Sequence, residues 1–328
     1  MGLALEYLEA ERAGAHWEDA LGAIVFGTDT RAAALPATVP QASVCMPVLG
    51  GAPLWIERWR SGEPIRYTRT GAVQLACTST LVFGTVSAAE TVPAPAGRSA
   101  LEVATEWAYG EIHSALARAG WPHLLRVWNY LPDINVETHG LERYRQFNAG
   151  RRRALLAGGL PTTGAVPAAS ALGCARGPLS IYFLAARSAP RFIENPRQVS
   201  AYHYPREYGP RAPSFSRATV LGSATGPRLF ISGTSSIVGH RTLHAGDPAA
   251  QSRETLTNIE ALLAQIPEFT LADLAYKIYV RHAADLPLVQ REVDAAIGTA
   301  APRIYLQADV CRAELAVEIE ATGGCAEP

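Results

Sequence analysis

The stretch RIYLQADVCRAELAVEIEA, residues 303–321, constrains the fold more than any other part of the chain. In an extended strand, Glu314, Glu318 and Glu320 would share one face, and the apolar residues between them would share the other. The apolar face predicts a core contact. The acidic face must meet water, a polar cavity or a positive partner, because isolated buried carboxylates are costly. On this pattern alone, a solvated edge strand is favoured over a functional site.

A second strand is predicted just before the acidic one, from Arg303 to Gln307. The two runs can pair as a hairpin that turns through residues 308–312, although no Asn-Gly or Asp-Gly marks the turn. Arg303 is then a candidate partner for the acids. Without further context, the stretch predicts carboxylates and a guanidinium group on the open face of a sheet.

The composition is that of an ordinary soluble protein, with 48% apolar and 18% charged residues. A length of 328 residues suits two domains or one large one. The net charge is -1, and the sequence has no basic run apart from residues 151–153. We therefore expect neither nucleic acid nor a membrane surface as a partner. Lys277 is the single lysine, so nearly all positive charge is arginine, which suits a bidentate grip on carboxylates.

The cysteines are odd in number and form no CxxC pair, which argues against a disulfide framework or a structural zinc site. They are Cys45, Cys77, Cys174, Cys311 and Cys325. Residues 1–20 are charged and amphipathic, unlike a signal peptide, and no apolar run approaches the roughly 18 residues of a membrane span. We therefore expect a cytoplasmic protein.

The C-terminal half predicts a regular order of elements, and its helices have clear starting signals. Asp247 precedes Pro248 as N-cap of a first helix with an apolar stripe, and Asp285 with Pro287 opens a second helix that runs to about Ile297. The predicted strands are 218–222, 228–236, 237–243, 274–281 and the terminal hairpin. One sheet with two helices on one face is the simplest assembly, an α+β sandwich.

The N-terminal half repeats this order more loosely. Residues 81–88 (LVFGTVSA) resemble 229–236 (LFISGTSS). A helix predicted over about 101–119 has the same position in the order of elements as the first helix of the C-terminal half. A strand at 124–130, a helix over about 140–156 and a strand at 181–186 continue the series. A diverged duplication is favoured over coincidence, and it predicts two sheets whose helix-free, partly polar faces meet.

A long loop, residues 188–216, joins the halves and is rich in proline, aromatic residues and arginine. This composition is unlike a flexible linker and favours a lid or binding wall about as strongly as a cover for an edge strand. We therefore predict an N-terminal domain at 1–187 and a C-terminal domain at 188–328 that begins with this loop as the entry to the site.

Several catalytic signatures are missing: GxxxxGK[ST], GxGxxG after a strand, HExxH and GxSxG. His240 and His244 lie four residues apart in a strand-like segment without nearby acids or cysteines, which favours ordinary surface histidines over a metal site. We expect no metal and no cofactor. The hydroxyls of SGTSS, 232–236, could bind a ligand, although such strand hydroxyls are more often structural.

The segment 129–153 and the long loop supply what a small dicarboxylate needs. Arginine forks hold carboxylates, aromatic walls hold a ring, and a desolvated carboxylic acid can act as proton donor. A helix that carries Arg143, Tyr144, Phe147 and Arg151 would present such a stripe. From the residues alone, an amphipathic helix with solvated arginines is favoured.

The sequence resembles the chorismatases, enzymes that release pyruvate from chorismate and whose fold is related to the RidA/YjgF superfamily. The resemblance spans essentially the whole chain. Its motifs are VWNYLPDIN (127–135), GLERYRQFNAGRRRA (140–154), SAYHYPREYGPRAPSFSRA (200–218), ISGTSSIVGH (231–240) and CRAELAVEIEA (311–321). It implies two RidA/YjgF-like, chorismate-mutase-like sheet-and-helix units in one chain, with the active-site pocket between them.

The resemblance also implies roles for individual residues. Glu318 would be the general acid that protonates the enolpyruvyl ether of chorismate, and fifteen residues before it Arg303 would line the pocket. Substrate-binding residues would be Arg303, Arg211, Arg151, Tyr144, Tyr208, Tyr202 and Ser235.

Cys311, seven residues before the glutamate, resembles a cysteine of the members that form an aromatic product. We therefore expect 3-hydroxybenzoate as the main product, with 4-hydroxybenzoate as a second product that the resemblance allows. The alternative for Cys311 is a thiol that only packs in the protein interior. A small residue near the pocket also distinguishes the subtypes; it falls between Ala224 and Ser235.

Three alternatives stay open: a chorismate hydrolase that yields a dihydroxycyclohexadiene carboxylate, an imine deaminase of the RidA kind, and a non-catalytic binder of an aromatic acid. A duplicated chain could supply its own neighbouring lobe, so we expect a monomer.

Overall fold

The computed structural model describes residues 2–14, 16–91 and 93–325. Its α-helices are α1 (Ala100–Ala119), α2 (Arg143–Ala157), α3 (Pro248–Leu263) and α4 (Leu286–Ile297). Its strands are β1 (Leu3–Glu9), β2 (Ala20–Gly27), β3 (Gln41–Cys45), β4 (Val48–Leu49), β5 (Leu54–Ser61), β6 (Arg66–Thr70), β7 (Val73–Cys77), β8 (Leu81–Ala88), β9 (His123–Pro132), β10 (Glu137–Thr138), β11 (Leu141–Glu142), β12 (Ala168–Cys174), β13 (Leu179–Ala186), β14 (Arg191–Ile193), β15 (Ala218–Leu221), β16 (Arg228–Thr234), β17 (Ile237–Val238), β18 (Arg241–Thr242), β19 (Leu274–Val280), β20 (Arg303–Gln307) and β21 (Val317–Gly323).

The two largest sheets repeat one topology. A six-stranded sheet has the order β12-β9-β13-β8-β7-β6, and a seven-stranded sheet has the order β14-β15-β16-β21-β19-β20-β4. Each sheet contains one parallel pair, β12 with β9 or β20 with β19, and the four pairs that follow it are antiparallel. In the order of elements, α1 and α2 occupy the same positions in the first unit as α3 and α4 occupy in the second. The predicted α+β fold of two equivalent units is therefore confirmed.

Local sequence signals account for the helices. The Ser99 side chain accepts the Glu102 N–H at the start of α1, and the Asp247 side chain accepts the Ala250 N–H at the start of α3. Close packing of α1 on α2 requires a glycine, because a Cβ atom on Gly150 would lie 2.3 Å from the Glu102 carbonyl oxygen. Each helix pair covers one face of its sheet and buries a separate apolar cluster.

The helix-free faces of the two sheets meet, as the sequence predicts. Strand alternation divides β19 between the two sides of its sheet: Tyr276 and Ile278 face the helices, whereas Lys277 and Tyr279 face the space between the sheets. Aromatic residues fill this space, and they come from the six-stranded sheet, the seven-stranded sheet and a four-stranded sheet of β1, β2, β3 and β5. They are Phe26, Trp59, Phe83, Trp128, Tyr130, Tyr182, Phe230 and Tyr279.

Two predictions for residues 303–321 are wrong. The runs at either end do not form a hairpin, because β19 lies between β20 and β21 and pairs with both of them. The acidic face is not solvated either: Glu318 and Glu320 are both 4% exposed, since a second sheet covers them. Only Glu314, before the strand begins, is exposed.

The remaining differences concern short or distant elements. The strand predicted at 237–243 is a small ribbon, β17 with β18. No strands are predicted before residue 81, but β1, β2, β3 and β5 form a four-stranded sheet there, and it packs on the six-stranded one. The step from residue 187 to 188 falls between β13 and β14, and the two-domain division there stays a prediction. Among the described residues, no helix is long and apolar enough to cross a membrane.

Candidate active site

A hollow opens between the two units at one end of the space between the sheets. It encloses about 590 Å³, part of which is open to solvent. Its lining residues are Glu142, Tyr144, Arg145, Tyr204, Tyr208, Pro213, Phe215, Arg217, Gly233, Ser235, Ile237, Cys311, Arg312 and Glu318. A smaller recess, also lined by Arg151, Ser170 and Ala171, shares Glu318 and Gly233 with it and forms its inner end. The mixed aromatic and charged lining is that of a small-molecule site.

Glu318 lies on β21 at the inner wall of this hollow. Burial, with a further contribution from the nearby Glu320 carboxylate, raises the pKa of Glu318 to about 8. Its closest polar partner is the Ser235 hydroxyl, at 3.5 Å from Oε2, which is too long for a strong hydrogen bond. A neutral carboxylic acid at pH 7 that is held at the edge of a cavity is a proton donor ready for use.

Gly233 on β16 makes room for that carboxyl group. A Cβ atom at position 233 would lie 1.9 Å from Glu318 Oε1 and 3.1 Å from Ser170 Oγ. Within the range 224–235, Gly233 and Ser235 line the hollow. Any side chain at position 233 would displace the proton donor.

Cys311 and Tyr144 complete the wall around Glu318. Burial, reinforced by the Glu318 charge, raises the pKa of the Cys311 thiol to about 12, and burial likewise raises the pKa of Tyr144. Both groups are therefore protonated at neutral pH. Cys311 cannot act as a thiolate nucleophile in this setting.

Guanidinium groups with spare donors lie around the hollow. Arg217 donates to the Val199 carbonyl and to the Tyr204 hydroxyl, but its Nε is buried without a hydrogen-bond partner. Arg312 stacks on Tyr208, with its Cζ 3.9 Å from the ring centroid, and its Nη2 is buried and unpartnered. Unsatisfied buried donors are costly, so an anionic ligand in the hollow would relieve two of them.

The structure brings together six of the nine residues predicted for the site: Glu318, Cys311, Arg151, Tyr144, Tyr208 and Ser235. They come from both units and from the loop at 188–216. That loop serves both of the purposes considered for it, because β14 covers the edge of β15 while Tyr204, Tyr208 and Phe215 wall the hollow.

Three predicted residues do not line the hollow. The Arg303 guanidinium binds the Gly298 carbonyl and Asp294 at the C-terminal end of α4, where the helix dipole attracts a cation. Arg211 is exposed in the loop. The ring of Tyr202 packs edgewise on His203, with centroids 4.7 Å apart.

Sequence reasoning missed Arg217, Arg312, Tyr204 and Phe215 as site residues. Arg217 lies six residues after Arg211 in the same quoted motif, and Arg312 follows Cys311 directly. The motif at residues 200–218 contains three arginines, and which of them turns towards the hollow depends on loop geometry. Among the described residues, no group of three or more His, Cys, Asp or Glu side chains could hold a metal ion.

The fold and the hollow define a two-unit α+β protein in which a buried carboxyl group, Glu318, lies in the wall of a hollow between the units. A family model described as "Chorismatase FkbO/Hyg5-like, N-terminal" matches residues 57–185. A chorismatase of Streptomyces hygroscopicus is 39% identical over 276 residues, which cover 80% of this chain and 78% of that protein. A 3-hydroxybenzoate synthase of the same organism is 40% identical over 232 residues, 66% of this chain and 68% of that protein.

A solved structure agrees with these relatives. The crystal structure of a chorismatase at 1.08 Å resolution matches with a TM-score of 0.86 and 33% identity, over 98% of both chains. The chain belongs to the chorismatase family, and the family predicted from the sequence motifs is thereby confirmed.

Proposed function

We propose that this chain converts chorismate to 3-hydroxybenzoate and pyruvate, with Glu318 as the proton donor. The observation that carries the proposal is a buried carboxyl group, with its pKa raised to about 8, in the wall of an arginine-lined hollow. The relatives named chorismatase and 3-hydroxybenzoate synthase support the same substrate and product.

The lining of the hollow suits chorismate, which has one carboxylate on its ring and a second on its enolpyruvyl ether. The unpartnered N–H groups of Arg217 and Arg312 can each donate to one carboxylate oxygen, and Arg151 lies at the inner end. Tyr144, Tyr208 and Phe215 supply aromatic walls for the ring. The substrate carboxylates would thus accept the hydrogen bonds for which these two arginines have no partner within the protein.

The first step is protonation of the enolpyruvyl methylene carbon. The carbon–carbon double bond supplies the electron pair for the new C–H bond, and Glu318 supplies the proton. An oxocarbenium ion results, and the Glu318 carboxylate formed in the same step stabilises its positive charge. Burial favours this step, because the acid is neutral before the reaction and its charge appears only beside the cation.

The second step determines the product. The oxygen of the ring hydroxyl bonds to the ring carbon that carries the pyruvyl oxygen, the bond between that carbon and the pyruvyl oxygen breaks, and pyruvate leaves with the electron pair. The hydroxyl proton returns to the Glu318 carboxylate. The arene-oxide-like species then opens one carbon–oxygen bond and loses a ring proton as its oxygen gains one, which gives 3-hydroxybenzoate. Addition of water to the oxocarbenium ion would give the dihydroxycyclohexadiene carboxylate instead. We propose that Cys311, a neutral thiol next to Tyr144 and Glu318, limits water at this point.

The experiment is incubation of the purified protein with chorismate, with pyruvate measured enzymatically and the second product identified by its mass and by co-elution with 3-hydroxybenzoate or 4-hydroxybenzoate standards. We expect equal amounts of pyruvate and 3-hydroxybenzoate. The dihydroxycyclohexadiene carboxylate as main product would indicate the hydrolase, and absence of pyruvate would contradict the assignment. Turnover of 2-iminobutyrate in place of chorismate would indicate a deaminase.

The proposal for Cys311 has its own test. Cys311→Ala enlarges the hollow beside the donor, so the fraction of aromatic product should fall while total pyruvate release changes by less than about tenfold. An unchanged product ratio would leave Cys311 as a packed thiol.

We further propose a monomer in the cytoplasm. The hollow takes its walls from both units of one chain, and all five cysteines are free, in keeping with a reducing compartment. Light scattering on the purified protein would test the monomer, and a fluorescent fusion would test the compartment.

A further inference from the structure

Beside the hollow, the space between the sheets contains four ionised side chains whose charges balance. Lys277 forms ion pairs with Glu57 and, at 2.9 Å, with Glu320 Oε1. Arg126 binds Glu320 Oε2 at 2.6 Å, and its guanidinium lies 4.7 Å from the Trp128 ring centroid. Each of these side chains is 4% exposed or less. Two cations face two anions, so the cluster has no spare positive charge for a third carboxylate.

Glu320 is saturated with donors. Its Oε1 accepts from the Trp128 indole at 2.8 Å as well as from Lys277, and its Oε2 accepts from Ser170 at 2.6 Å as well as from Arg126. Burial alone would raise the pKa of Glu320, but Lys277 and Arg126 hold it below the usual value. Glu320 is therefore a carboxylate, whereas Glu318, two residues earlier on the same face, is a neutral acid.

Ser170 separates the two acids. Its single proton goes to Glu320, and its oxygen accepts from Arg126 at 2.5 Å and from the Gly233 N–H at 2.9 Å. A hydroxyl has one donor and two acceptor positions, so Ser170 has nothing left to offer Glu318. Arg126 is also engaged with Ser170 and Glu320. Two groups that could stabilise an ionised Glu318 from inside the protein, Arg126 and Ser170, are thus committed to Glu320.

We propose that Glu320 is a positioning residue for the reaction: by holding Arg126 and Ser170, it keeps Glu318 protonated. This inference rests on the proposed role of Glu318 as proton donor. It assigns the buried charges a function beyond packing, because their balance decides which of two neighbouring acids carries the proton.

Other charged or titratable groups face Glu318 from the elements packed around it. They are Tyr144 and Arg151 on α2, Arg126 on β9, Arg217 before β15, Glu320 on its own strand, Tyr279 on the paired strand, and Cys311 and Arg312 before β21. Arg217 and Arg151 are engaged elsewhere, with Tyr204 and Asn148. Among the described residues, none of these arginines forms a hydrogen bond or ion pair with Glu318 that would replace Arg126.

Two substitutions should move the titration of Glu318 in opposite directions. Glu320→Gln removes the competing anion and leaves Arg126 free to attract Glu318, so the pKa of Glu318 should fall. Arg126→Gln removes the nearest buried cation while Lys277 continues to hold Glu320, so the pKa of Glu318 should rise. A purely structural role would lower activity by a similar factor at every pH and would produce no such pair of shifts.

The test is the pH dependence of kcat/KM for chorismate in the wild type and in both variants, with Glu314→Gln as an exposed control. We expect the alkaline limit of activity to move down by one unit or more in Glu320→Gln, about a tenfold loss at pH 8 relative to pH 6, and up in Arg126→Gln. An unmoved limit in either folded variant would overturn the proposal.

A second measurement separates this inference from the proposed function. Infrared difference spectra between each protein and its Glu318→Gln counterpart report the protonation of Glu318 without any substrate. A shift in the carboxyl titration without chorismate turnover would support the inference and reject the function. Turnover of chorismate with an unshifted carboxyl titration would support the proposed function and reject the inference about Glu320.

Discussion

β13 and β21 occupy equivalent positions in their sheets, since each is paired antiparallel on both sides and lies next to the strand of a parallel pair. The face of β21 that looks into the space between the sheets carries Glu318 and Glu320. The same face of β13 carries Tyr182 and Leu184. Two copies of one unit have therefore taken different tasks at the same place in the fold.

The difference shows how a duplicated fold can hold a single active site. The Tyr182 ring stacks on Trp128, with centroids 4.4 Å apart, and its hydroxyl bonds Glu57 and Lys277, so β13 fills the space it faces. Beyond Glu320 the space is not filled, and Glu318 meets the hollow. The N-terminal unit, which contains β13, thus supplies packing and part of the wall of the hollow, and the C-terminal unit, which contains β21, supplies the acid.

The largest effect should come from removing the acid of β21. Glu318→Gln keeps the shape of the side chain but cannot release a proton, so pyruvate formation should fall by about two to four orders of magnitude with substrate affinity retained. Steady-state rates together with calorimetric binding of chorismate would measure both quantities. Glu314→Gln, exposed and four residues earlier, should behave as the wild type; a fully active Glu318→Gln would remove the distinction between the strands.

The same residue should make stability depend on pH. Burial raises the pKa of Glu318 from its ordinary value of 4.5 to about 8, so the folded state binds a proton that the unfolded state releases. The resulting stability is complete below pH 4.5 and is lost as the pH rises towards 8, at about 1.4 kcal/mol per unit. The total is on the order of a few kcal/mol.

Denaturant unfolding at several pH values would measure this effect. Glu318→Gln cannot ionise, so it should match the wild type near pH 5 and exceed it in stability near pH 9. Other titrating groups are common to both proteins and cancel in the difference. Parallel stability curves for the two proteins would mean that Glu318 titrates normally.

A smaller effect should follow from the space beside the acid. Gly233→Ala places a methyl group where Glu318 Oε1 lies, so the carboxyl group must rotate away from its position at the hollow. A displacement of this size should lower kcat by about 10- to 100-fold and alter the ratio of products. Gly222→Ala is a matched control, because a Cβ atom there meets no other atom within 4 Å. Equal activity of both variants would show that the acid has other workable positions.

Periodicity and capping signals predicted the equivalent strands and helices of the two units, because these elements are set by local pattern: the Asp247 cap and the alternation of β19 are examples. The early strand β1, LALEYLE, carries no comparable signal. Its partner β5 lies more than forty residues further on, so only long-range pairing decides that it is a strand.

The site was predictable to the extent that motifs named its residues. Glu318 and Cys311 follow from the terminal motif, but the sequence placed Glu318 and Glu320 on one face without indicating that only one would keep its proton. That difference depends on Arg126 and Lys277, which come from other strands. Likewise, Arg303 has the expected sequence distance from Glu318, yet β20 turns it towards α4.

The smallest effect should come from β13. Tyr182→Phe removes a hydroxyl that accepts from Lys277 at 2.6 Å and donates to Glu57, yet it leaves the balance of buried charges intact. Unfolding should require about 1.5 to 3 kcal/mol less free energy, as for bonds to charged groups. Tyr109→Phe, which loses a bond of 2.8 Å to the neutral Asn129, should cost about 1 kcal/mol and serves as the control. The alkaline limit of chorismate turnover should stay in place in both variants, because neither changes a charge near Glu318. A tenfold loss of kcat/KM in Tyr182→Phe would instead mean that β13 still takes part in the chemistry, and that the two units have diverged less than their inward faces suggest.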